Sequence, residues 1–139
     1  MNMIKAFLVF LCILFTLPGC DGIPALAGIE FTYVPPYGSF YNLKGQVWHV
    51  NPDDYKVAVY IYVYGWWNKP TWANPLTSIS LDGSWTCDIT TDSQDQNATK
   101  ITAYLVSNGY NPPLLSGDQE LPAELETNSV AKTTVDRRP

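Results

Sequence analysis

A chain of 139 residues, 46% hydrophobic and 15% charged, can bury one sizeable core but not two. Its thirteen Asp and Glu outnumber eight Lys and Arg, a net charge of −5. No basic patch is then to be had for a phosphate backbone, which excludes nucleic acid as the partner.

Residues 1–19 read as an export signal. Lys5 supplies the positive start, Ile4 to Leu17 is an apolar run broken only by Lys5 and Thr16, and Pro18-Gly19 ends it. The run is shorter than the roughly 20 residues a membrane span needs. Two cleavage sites compete. Leu17-Pro18-Gly19-Cys20 resembles the lipobox of bacterial lipoproteins, which would make Cys20 the lipidated first residue, although Pro18 departs from the small or aliphatic residue usual there. Ala25-Leu26-Ala27 would instead release a soluble protein beginning at Gly28. The lipoprotein reading is favoured because Cys20 follows the apolar run directly. With Lys5 gone, seven Lys and Arg face thirteen Asp and Glu, a net −6. Cys12 leaves with the signal and Cys20 is lipidated or removed, so Cys87 has no partner for an intramolecular disulfide.

Residues 20–42 read as a linker with a candidate first strand, Ile29 to Val34, ended by Pro35-Pro36; residues 43–136 read as the sandwich domain. Leu43 to Val50 is the next strand, and Asn51-Pro52-Asp53-Asp54 turns it. Tyr55 to Tyr64 carries the clearest signal. Val57, Val59, Ile61 and Val63 point one way and Ala58, Tyr60, Tyr62 and Tyr64 the other, so one face is core and the other is a tyrosine stripe needing a cover or a ligand. Gly65 to Trp72 reads as a tryptophan-rich loop. Leu76 to Leu81 and Ser84 to Thr90 flank Asp82-Gly83, a hairpin signal, with Trp85, Cys87 and Ile89 sharing an inward face.

Thr91 to Thr99 is a polar loop and Lys100 to Ser107 a strand. Asn111 to Asn128 holds three prolines and no strand period; it is expected to wrap an edge or an open end, with Leu114, Leu115, Leu121 and Leu125 as plugs and a helical turn after Pro122. Ser129 to Val135 closes the domain. Short β runs with turns at intervals of roughly ten residues predict an all-β, antiparallel, immunoglobulin-like β-sandwich of about seven strands.

The segments GQVWHVNPDDYKVAVYIYV, GWWNKPTWANPLTSISLDGSWTCDIT and ATKITAYLVSNGYNPPLL together resemble a domain that recurs in secreted bacterial proteins, some of them polysaccharide-acting, and the resemblance covers about Leu43 to Val135. The resemblance implies a β-sandwich, secretion and an accessory role. It supplies no catalytic residues.

The candidate ligand-binding residues are Trp66, Trp67, Trp72, Lys69 and Tyr64, with Tyr60, Tyr62, Tyr37 and Tyr41 as neighbours. Sugar rings present flat C–H patches that stack on aromatic faces, and binding residues concentrate on loops held by a rigid scaffold. The competing reading folds the tryptophans back to seal the sandwich end. Because side chains alternate on extended backbone, Trp66 and Trp67 cannot both face inward, and at least one is expected to be available. Lys69 reads as a loop lysine, solvated or donating to a ligand oxygen.

His49, the single histidine, falls mid-strand with no nucleophile or orienting acid at hand, which argues against a catalytic triad and against a zinc site. Asp88, Asp92, Asp95, Gln96 and Asn97 form an acidic loop whose spacing fits no calcium motif and which reads as solvated. No metal ligand set, cofactor or catalytic residue is identified. The sequence thus points to an exported, lipid-anchored, non-catalytic binding module with a polysaccharide or a cell-envelope protein as partner. The rivals are a structural subunit of an envelope assembly and a small glycan-acting enzyme.

Overall fold

The computed structural model describes residues 25–139; the segment read as an export signal and Cys20, the expected lipidation site, lie outside the described residues. The strands are β1 (Gly28–Tyr33), β2 (Leu43–Trp48), β3 (Tyr55–Tyr62), β4 (Trp66–Lys69), β5 (Ser84–Cys87), β6 (Lys100–Ser107), β7 (Ser116–Asp118) and β8 (Ser129–Asp136), with one short helix, α1 (Glu124–Asn128). They form a two-sheet antiparallel sandwich, β1-β2-β5 facing β7-β4-β3-β6-β8. Among the described residues no helix is long and apolar enough to cross a membrane.

The alternation along β3 sets both faces of the larger sheet. Val57, Val59 and Ile61 pack inward with Ile101, Ala103 and Leu105 of β6 against Leu43, Val47, Trp85 and Cys87 of the smaller sheet. Trp85 is the largest contributor from that side. Its ring meets Phe31 edge-on at 6.1 Å between centroids, and it lies over Gly45, its cross-strand partner, where a Cβ would sit 2.1 Å from the indole. Glycine at 45 is what admits the ring. Cys87 is a free, buried thiol, and burial pushes its pKa up to about 12.

Of the tyrosine stripe on the opposite face, Tyr60 and Tyr62 are met by a cover, while Tyr64 stays in solvent. Segment 111–128, expected to wrap an edge or an open end, crosses the outer face of the five-stranded sheet. Leu115 and Leu125 bury themselves against Ala58, Tyr60, Trp66, Tyr104 and Val106, and Leu121 packs at the margin, while Leu114 stays exposed. Each fully buried leucine contributes about 1.5–3 kcal/mol. Tyr60 donates its hydroxyl to the Pro113 carbonyl at 2.8 Å, and desolvation raises its pKa well above the ordinary phenol value, keeping it a neutral donor. Tyr110 ties the segment again by donating to Glu124 at 2.6 Å. Proline-rich backbone suits this task because it lies extended without needing ladder partners.

Three expectations about local structure give way. The stretch Gly65 to Trp72 is not wholly loop: Trp66 to Lys69 pairs with β3 and, through Trp66 and Trp67, with β7. Gly65 permits this by its φ of 151° and by leaving room for Gly117, whose carbonyl oxygen would lie 2.2 Å from a Cβ. Leu76 to Leu81 forms no strand and touches the sheet through a single bridge, Thr77 to Val57; Asp82-Gly83 still turns the chain, with Gly83 at φ 86°. His49 is not mid-strand. It sits just past β2 at φ 60°, exposed, with Nδ1 2.8 Å from the Leu26 carbonyl oxygen.

The two ends of the sandwich differ. The chain enters β1 beside Trp48, at the end where β2 passes to β3, whereas the β3–β4 hairpin and the connections β1–β2 and β5–β6 gather at the other end. There Arg137 is buried and donates to the carbonyls of Ala98, Pro35, Pro36 and Gln96 at 3.0, 2.9, 3.3 and 3.2 Å. Desolvation lowers its pKa without threatening its charge. One guanidinium thereby ties three chain segments into a rigid rim. Arg137→Ala is expected to cost about 2–3 kcal/mol in urea unfolding, since four carbonyls lose a charged donor; a loss below about 0.5 kcal/mol would show that the rim holds without it.

Candidate functional site

The β3–β4 hairpin places the candidate aromatics. Tyr62 pairs with Trp66 across the ladder, and Tyr64 occupies the tip between them at φ 57°. Because β4 is extended, Trp66 and Trp67 take opposite faces. Trp66 faces outward beneath the 111–128 cover, 8% exposed and edge-on to Tyr62 at 5.4 Å. Trp67 faces the inter-sheet side, half-buried, its indole N–H donating to the Val63 carbonyl at 3.0 Å. Both faces of this sheet are covered, so Trp66 is buried and Trp67 keeps only part of its surface accessible. Trp66 has no face to offer a ligand.

Lys69 is neither solvated nor free to donate. It is 2% exposed and its ammonium is bonded to the Asp95 carboxylate, to Asp92 Oδ2 at 3.2 Å and to Thr91 Oγ1 at 3.1 Å. The acidic loop is likewise not simply solvated: Asp95 is buried, and its Oδ2 also accepts the backbone N–H of Asp92 at 2.8 Å. Lys69 shares the inward parity of Val59 and Trp67, and the β5–β6 connection crosses over that side of β4. The ion pair fastens the connection to the strand. Asn68, on the other face, does the same for the cover by accepting the Leu115 N–H at 2.9 Å and donating to the Thr71 carbonyl at 3.2 Å.

Two hollows meet along this connection. The larger, about 420 Å³, lies between Tyr64 and Trp67 on one side and 92–95 on the other; its neighbour, about 260 Å³, runs from Trp67 over Pro70 and Thr91 to Trp72. Trp67 and Asp92 line both, and the two adjoining hollows are together called the cleft. Tyr64 is 90% exposed and Trp72 57%, and they stand on either side of Trp67. Asp92 reaches into the cleft with a side chain 77% exposed, and Ser93 and Gln94 line its wall. Of the five candidate residues, Tyr64 and Trp67 line the larger hollow and Trp67, Lys69 and Trp72 the smaller, whereas Trp66 lines neither; Trp66 and Lys69 are buried and back the cleft. Asp92 and Gln94 were not among the candidates. Their sequence signal was only that of a polar loop.

No family model, curated protein or solved structure matches the chain. What the site can do must therefore be read from its own chemistry. It offers three aromatic rings, one exposed carboxylate and several neutral polar groups, held by Lys69 below and by Arg137 nearby. Among the described residues no group of three His, Cys, Asp or Glu side chains is placed to hold a metal ion.

Proposed function

We propose that the protein is an exported, non-catalytic binding module that holds a polysaccharide chain in the Tyr64–Trp67–Trp72 cleft. The observation that carries this reading is Tyr64. A tyrosine at φ 57° adopts a conformation that glycine or asparagine takes at less cost, and it holds a large apolar ring out in water. Folding gains little from either feature. Binding gains from both, because a rigid tip presents the ring face at little further entropic cost. Trp72 extends the platform, and Asp92 and Gln94 offer hydrogen-bond partners for sugar hydroxyls. A cleft lined by aromatics with a few convergent polar groups is the usual form of a ligand site.

Lipid attachment at Cys20 fits the same reading. The chain enters the sandwich at the end opposite the cleft, so a tether there would direct the aromatics away from the membrane. The structural-subunit alternative draws support from Trp66, whose ring is spent on the fold.

Affinity electrophoresis in gels containing xylan, glucomannan or hydroxyethylcellulose tests the proposal. The wild-type domain is expected to be retarded in at least one of them, and Trp72→Ala and Tyr64→Asn are expected to abolish the retardation. Tyr64→Asn is expected to leave the melting temperature unchanged or slightly higher, because asparagine tolerates φ 57° better than tyrosine. No retardation of the wild-type domain in any of the gels, or loss of retardation together with loss of stability in both variants, would move the function to a protein partner.

A further inference from the structure

The charge of the cleft adds selectivity to its aromatic lining. Three charged residues line it, Lys69, Asp92 and Asp95. Lys69 and Asp95 are buried and bonded to each other, which cancels their charges locally. Asp92 shares Lys69 through Oδ2 only and keeps most of its surface in water. Lys69, Asp92 and Asp95 therefore sum to a net −1, its exposed part the Asp92 carboxylate on the 92–95 wall, and no exposed cation stands among the lining residues. The whole chain, at −5, reinforces the sign.

An exposed carboxylate beside indole and phenol faces is the chemistry that holds an amine. The ring faces attract a cation through their quadrupole, worth about 0.5–1 kcal/mol at exposed sites, and the carboxylate adds a charge-assisted hydrogen bond. The same carboxylate opposes uronate or sulfate groups. We infer that the cleft selects glycans bearing free amino groups, of the glucosamine type, over their N-acetylated and anionic counterparts, with Asp92 as the selecting residue. This selectivity rests on the cleft binding glycan at all. Tyr64 and Trp72 supply the stacking common to every sugar, and Asp92 supplies the discrimination.

The test compares three soluble ligands by isothermal titration with the intact domain: β-1,4-linked glucosamine oligomers, the same oligomers fully N-acetylated, and an oligogalacturonate. The glucosamine oligomer is expected to bind about fivefold more tightly than the acetylated one, the size of an exposed ion pair and a cation–π contact together. The oligogalacturonate is expected not to bind. Asp92→Asn, which keeps an acceptor for Lys69, is expected to erase the fivefold difference between the free-amine and acetylated oligomers. Glu30→Gln removes the same charge on the outer face of the smaller sheet and is expected to preserve the difference. If acetylated and free-amine oligomers bind alike and Asp92→Asn changes neither, the amine selectivity fails while the glycan reading stands. If none of these oligomers binds, and the neutral polysaccharide gels do not retard the domain, the glycan reading itself fails.

Discussion

Lys69→Ala is expected to destabilise the domain by about 3–5 kcal/mol, because it leaves the buried Asp95 carboxylate without its cation. The magnitude follows from which charge is stranded. Asp92 can turn to water, but Asp95, within the β5–β6 connection, is buried and would keep only the Asp92 backbone N–H. Replacing both partners by apolar groups, Lys69→Met with Asp95→Leu, is expected to recover much of the loss, since an apolar pair needs no hydration. Recovery should stop short of wild type, because the Asp92 N–H then loses its acceptor. Urea unfolding of the two single variants and the double variant measures this. Additive losses in the double variant would show that the two charges do not depend on each other. The cleft should respond too, since its 92–95 wall is fastened through this pair.

Trp85→Ala is expected to cost about 3–5 kcal/mol by opening a cavity at the centre of the smaller sheet's inner face. Gly45 beneath the ring cannot fill the space, and Phe31 at 6.1 Å meets it only edge-on. Trp85→Phe should cost less, because it keeps a ring in place and removes an indole N–H that is buried without a hydrogen-bond partner. Equilibrium unfolding followed by circular dichroism checks both. A loss below about 1 kcal/mol for the alanine variant would place Trp85 outside the cooperative core.

The two-sheet architecture was legible in the sequence wherever one periodic strand carried the signal. Tyr55 to Tyr62 announces its two faces, and the inward parity of Trp85, Cys87 and Ile89 agrees with their burial. What stayed hidden depends on pairing between distant segments. β4 is four residues between Gly65 and Pro70, and β7 is Ser-Gly-Asp with no apolar alternation, so neither has a periodic signature. Leu76 to Leu81 alternates well enough for a strand yet carries the chain from one sheet to the other, and only Thr77 finds the ladder.

The site was half legible for a related reason. Aromatic content marked Gly65 to Trp72 as unusual, and Tyr64, Trp67 and Trp72 do line the cleft. Their division into exposed and structural residues depends on the cover, a segment whose prolines say that it is extended but not where it lies. Lys69 read as solvated because lysines mostly are. Its partner Asp95 stands 26 residues away in a stretch that read as solvated for the same reason. Nothing in one sequence says that four carbonyls converge on Arg137.

The indole N–H resonances of the five tryptophans give the most direct test of the proposed glycan site, since each reports a different place. Trp67 and Trp72 line the cleft, Trp66 lies under the cover, Trp85 is in the core, and Trp48 stands at the opposite end. A nitrogen–proton correlation spectrum, assigned by Trp→Phe replacement, is recorded while glucose, N-acetylglucosamine and glucosamine oligosaccharides are added in turn. The Trp67 and Trp72 peaks are expected to move in a saturable way with at least one of them, while those of Trp66, Trp85 and Trp48 stay in place. Five unmoved peaks across all three sugars, or a shift confined to Trp48, would contradict a glycan site between Tyr64 and Trp72.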